Sequence, residues 1–173
     1  MGIRLSARLD WLDSRSSWQF LCVLYFARWV VLAPYITAEK FLFTKTVPSA
    51  WDMSQLSEIN PVLLFVIIVA ISPLLEIFVE CSLPYFFLSI FHRKKGKLPA
   101  RPWFFVIVSA VLMALLHPIL SAIVPSLITG AFLAYCYAHF AFRNIGYAII
   151  YTTAFHGAIN IIGWTAIVFG GSV

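Results

Sequence analysis

The sequence predicts an all-α, polytopic integral membrane helical bundle of about five transmembrane helices. Three observations carry that expectation. Of the 173 residues, 62% are hydrophobic and only 11% are charged, against about 25% charged in a soluble domain, so a bilayer has to replace water as solvent. Several apolar runs approach the ~20 residues that cross a hydrocarbon core about 30 Å thick. The basic residues, finally, alternate from one connection to the next in the pattern that orients membrane proteins.

The elements follow in order. Residues 1–17 place Leu5, Leu9 and Leu12 at helical spacing with arginines on other faces, the pattern of a helix lying in the headgroup region. Asp10 and Asp13 in that lead-in, and the long apolar run behind it, argue against a cleaved signal peptide. Residues 18–173 form the transmembrane domain. Spans are expected at about residues 18–35, 61–91, 103–120, 121–142 and 147–169. The second is too long for one straight crossing, and Pro73 and Pro84 interrupt it where helices kink or break. Read as two half-spans, it would move the C-terminus to the other side.

Positive-inside counting tests the five-span reading. Arg4, Arg8, Arg15, Arg93, Lys94, Lys95, Lys97, Arg101 and Arg143 fall in segments that share one side, and only Lys40 and Lys45 fall opposite. The N-terminus is therefore expected in the cytoplasm, in a bacterial plasma membrane. The net charge of +5 reads as topology and affinity for the lipid bilayer, with no nucleic-acid partner. Cys22, Cys81 and Cys136 lie in apolar runs without metal-ligand spacing, so neither a disulfide framework nor a cysteine zinc site follows. Arg28, in the first span, either snorkels or pairs with an internal acid. His92 and His139 lack polar companions at helical spacing and receive no role.

Of seven acidic residues, Glu76 and Glu80 alone lie inside an apolar run, where ionisable groups are expensive and default to a functional reading. Their spacing of four puts them on one helical face. His117 and His156 share that predicament, and Asn160 follows His156 by one turn. At 1.5 Å per residue, Glu76 lies at about 22 Å from the cytoplasmic face, His117 at about 21 Å, Asn160 at about 20 Å and His156 at about 14 Å. Three helices thus deliver polar groups to nearly one level. A carboxylate there can act as general base on a water, with His117 as proton partner. An imidazole N–H and an amide N–H from His156 and Asn160 can donate to a developing oxyanion. The set reads as hydrolysis of an acyl bond.

These residues resemble the CPBP family of intramembrane proteases, which includes the type II CAAX prenyl endopeptidases and the bacterial Abi proteins linked to bacteriocin processing and self-immunity. The first motif of that family, P-x-x-E-E-x-x-x-R, corresponds to Pro73 through Cys81, the second, F-x-x-x-H, to Met113 through His117, and the third, H-x-x-x-N, to His156 through Asn160. Gly130 resembles the glycine of the intervening helix. The likeness covers about residues 61–165. Ile77 stands in place of the second glutamate and Cys81 in place of the arginine, and Glu80 is positioned one turn along to supply the lost carboxylate.

The resemblance implies a glutamate-dependent endopeptidase. Glu76 with His117 would activate water, and His156 with Asn160 would stabilise the oxyanion. The substrate would be a peptide or a membrane-anchored protein segment. Family members are commonly labelled metalloproteases, and a Glu-His-His set has donors suited to zinc, but the glutamate-base route needs no cofactor and is preferred. Three alternatives stand beside it: a catalytically inactive immunity or assembly factor, a haem subunit with His117 and His156 as axial ligands, and a proton-coupled transporter, which the lack of internal repetition disfavours.

Overall fold

The computed structural model describes residues 16–42, 59–92, 102–117, 120–141 and 143–170. The expected interfacial helix at residues 1–17 and the basic connection at 93–101 lie almost wholly outside the described residues. Within them the chain is all-helical. It forms α1 (Ser17–Leu42), α2 (61–92), α3 (Pro102–Leu116), α4 (Leu120–Ala141) and α5 (Ile145–Gly170). Four of these, α1, α2, α4 and α5, are long and apolar enough to cross a membrane, and the chain is an integral membrane protein. The shell matches: Val30, Val62, Leu115 and Ile150 are all more than half exposed, the arrangement lipid tails require.

Each helix start has a local cause. At α1, Gln19 N–H donates to Ser16 Oγ and Ser16 N–H donates back to Gln19 Oε1, a reciprocal capping box. At α2, Asn60 Oδ1 accepts from the N–H groups of Val62 and Leu63, with Pro61 at the first helical position, where its missing N–H costs nothing. At α5, Asn144 Oδ1 accepts from Gly146 and Tyr147.

The third helix is shorter than the sequence suggests. It stops at Leu116 instead of about residue 120, because Pro118 disfavours helical backbone in the residue before it. Its 15 residues span only about 22 Å.

The second helix stays continuous past both prolines, contrary to a break into half-spans. Two wide turns make this possible: Val66–Ile71 and Phe78–Ser82 are π-helical. Ser72 N–H donates to Ile67 O, and Leu83 N–H donates to Phe78 O, each five residues back. In an α-turn the proline ring would strike the carbonyl four residues earlier, and the wider turn moves that carbonyl aside. The next bonds in the same register would come from Pro73 and Pro84, which have no N–H. Ile68 O is thereby deprived of its backbone partner.

At the centre α4 packs on α3 and α5. Gly130 is required there: a Cβ on it would come within 2.9 Å of Ala110 Cα and 3.0 Å of Met113 Cβ, so the α3–α4 crossing is set by a missing side chain. Ile77, Leu133, Tyr137, Phe140 and Phe155 fill the core. Helix α5 lies along the first half of α2 while α3 lies against the second half, which leaves Glu76 facing the α2–α5 seam.

Candidate active site

The α2–α5 seam is held by donors on α5 reaching carbonyls on α2. Asn160 Nδ2 donates to Ile68 O at 3.0 Å, and Trp164 Nε1 donates to Pro61 O at 3.2 Å. The first bond satisfies the carbonyl that Pro73 leaves unpaired, which would otherwise cost the free energy of a buried unmet acceptor. Gly157 completes the fit. A Cβ at that position would lie 2.5 Å from Val69 O, the same carbonyl that an α-turn would have aimed at the Pro73 ring.

This close seam brings Glu76 and His156 together, with Oε2 and Nε2 3.4 Å apart. Ser72, one turn before Glu76, donates its Oγ–H to Glu76 Oε1. The carboxylate is thus held by a hydroxyl on one oxygen and faces an imidazole with the other. Its side chain is 23% exposed while that of His156 is 4%, so the carboxylate is partly open at the seam and the histidine is enclosed. His156 Nδ1 is buried without a protein partner.

His117 sits at the end of α3, where its N–H and Nδ1 both meet Met113 O, at 3.2 and 2.9 Å. A ring nitrogen facing a carbonyl carries the proton, so a neutral His117 offers Nε2 as an acceptor. It lies close enough to act electrostatically on His156. Sequence reading joined Glu76 to His117. The contact formed is instead between Glu76 and His156, while His117 bonds to Met113 O.

Glu80 is 1% exposed and neither carboxyl oxygen has a hydrogen-bond partner. It touches neither histidine through a hydrogen bond. Among the described residues no three His, Cys, Asp or Glu side chains converge as a metal-holding group, so the donor set does not fit a three-ligand zinc site. Ser72 was not singled out by the sequence reading, although its spacing of four from Glu76 is visible there. The Ile68 carbonyl was invisible to it, because side-chain identity does not announce which backbone acceptor is free.

Arg28, expected to snorkel or pair with an acid, does neither. It is 7% exposed, its Nε donates to Thr129 Oγ1 at 3.0 Å, and no described carboxylate stands within ion-pair distance. The chain matches no protein-family model, no curated protein and no solved structure.

Proposed function

We propose that this protein is an intramembrane endopeptidase of the CPBP type, in which Glu76 activates a water against a peptide bond. The observation that carries the reading is the Glu76–His156 contact at 3.4 Å, between a partly exposed carboxylate and an enclosed imidazole on different helices. Glu76 takes a proton from water, and the water oxygen bonds to the scissile carbonyl carbon. The carbonyl π pair moves to its oxygen. Breaking the C–N bond then returns the proton from Glu76 to the leaving amine.

Hydrogen bonding around the seam supports Asn160 and His156 as the oxyanion donors. Asn160 spends one amide N–H on Ile68 O and has a second to give. With Nε2 facing Glu76, His156 reaches an oxyanion through Nδ1, which donates in the tautomer whose Nε2 accepts from Glu76 once that carboxylate has taken the proton from water. The substrate is a peptide or membrane-anchored segment entering laterally or from the cytoplasmic side. The nine-to-two distribution of basic residues supports a cytoplasmic N-terminus, in a bacterial plasma membrane.

A second reading is favoured by one observation. The Asn160–Ile68 and Glu76–His156 contacts also serve as interhelical braces, as they would in an inactive immunity or assembly factor. Purified protein and its Glu76→Gln variant, compared on a panel of peptides with and without chelator, separate the two. Cleavage by the wild type that falls at least about 100-fold in the variant supports the general-base reading. Equal rates in both forms sink it, and cleavage by neither favours the brace.

A further inference from the structure

Two adjacent side chains, outside the Glu76–His156 pair, each hold a buried N–H donor that no described residue satisfies. Arg28 NH1 and Trp29 Nε1 are each buried without a partner. They are neighbours: the Arg28 guanidinium carbon stands 4.9 Å from the centre of the Trp29 ring. Arginine and tryptophan have no acceptor capacity, so no rotation or change of tautomer can pair them with each other. What they lack is an acceptor.

Charge narrows the class. A guanidinium stays protonated and, enclosed among helices, needs an anion to offset its lost hydration. The two carboxylates within the spans do not supply one. Glu76 is engaged by Ser72 and His156, and Glu80 stands outside ion-pair distance. The guanidinium is also fixed in place, with Nε on Thr129 Oγ1, itself on a residue 5% exposed, and its face against the indole.

We propose that Arg28 and Trp29 form a binding site for a carboxylate. The guanidinium edge and the indole N–H each give it one hydrogen bond, and Thr129 sets the guanidinium's orientation. Helix α1 leans chiefly on α4, which carries Thr129, and only slightly on α5. The ligand therefore enters by parting the α1–α5 seam, where Trp18 meets Tyr151. Two sources share this chemistry, the end of a lipid-like acyl chain and the C-terminus of a hydrophobic peptide.

The test uses the full chain in phosphatidylcholine nanodiscs, with binding read as a rise in thermal midpoint and as a change in tryptophan fluorescence. The probes are laurate beside its methyl ester, and an N-acetylated hydrophobic tripeptide acid beside its amide. At least one acid is expected to bind and its neutral analogue not to. Whichever acid binds more tightly identifies the source. Arg28→Gln is expected to abolish binding, and Trp29→Phe, which keeps the ring but removes its N–H, to weaken it about tenfold. Should Arg28→Gln fail to fold, Trp29→Phe and Thr129→Val decide. Equal response to acid and neutral forms, binding of neither acid, or unchanged affinity in the variants overturns the site. Binding is read without turnover, so a failure here is separate from a failure of the peptidase reading.

Discussion

Asn160 donates its side-chain amide to the backbone carbonyl of Ile68 at 3.0 Å, five residues before the proline that deprives that carbonyl of its helical partner. The bond ties a polar residue of α5 to a defect written into α2 by Pro73. It follows that the two residues are energetically coupled although their side chains need not touch.

A double-mutant cycle measures that coupling. Asn160→Ala leaves Ile68 O unpaired and is expected to cost about 1–3 kcal/mol. Pro73→Ala returns a backbone N–H able to serve the same carbonyl, so in that background Asn160→Ala should cost about 1 kcal/mol less. Thermal or denaturant unfolding in detergent reads all four forms. Strict additivity would show that the proline does not create the acceptor.

Gly157 is the tightest point of the seam. Its Ala variant drives a Cβ against Val69 O at 2.5 Å, a backbone atom that cannot swing aside, whereas the new methyl of Gly146→Ala meets only the side-chain oxygen of Asn144 at 3.0 Å. Gly157→Ala is expected to destabilise by roughly 1–3 kcal/mol and to separate Glu76 from His156. Gly146→Ala should cost less. The order of thermal midpoints checks this, and a Gly157→Ala protein as stable as wild type would refute the close approach.

The helices were legible because apolar composition marks spans directly, and Glu76, Glu80, His117 and His156 stood out as ionisable groups in apolar runs. The wide turns of α2 were not. A run that is apolar on every side has no polar face to index its register, so Pro73 and Pro84 read as kinks or breaks, with nothing to show that π-turns absorb them. The depth estimate failed in the same place. It set His156 apart from Glu76 by assuming straight helices of uniform rise, yet these two meet at 3.4 Å, as wide turns and helix tilt permit. Arg28 was visible as a charge in a span, but its bond to Thr129, 101 residues away, belongs to packing and has no trace in local sequence.

Glu80 offers a contrast with its neighbour. Both of its oxygens are buried without partners, so even a protonated carboxyl there carries an unmet desolvation cost. Glu80→Leu, close in volume and wholly apolar, is expected to raise stability by about 1–3 kcal/mol. Thermal unfolding checks it. A clear loss of stability would show that the carboxyl is satisfied in the membrane by a group the helices do not provide.

Ser72 tests whether orientation of the carboxylate matters to chemistry. Its hydroxyl donates to Glu76 Oε1, which leaves Oε2 turned toward His156. Without that hydroxyl the carboxylate keeps its charge and its helix but gains rotational freedom, so substrate binding should change little while the reactive alignment is populated less often. Ser72→Ala is therefore expected to lower kcat roughly tenfold, equivalent to about 1.4 kcal/mol, with KM nearly unchanged. Ser72→Thr retains the hydroxyl and should recover most of the rate. A purely structural role would instead lower the thermal midpoint in Ser72→Ala and leave kcat per folded molecule intact. Peptide-cleavage kinetics and unfolding on the same preparations distinguish the two, because positioning separates kcat from stability and packing does not.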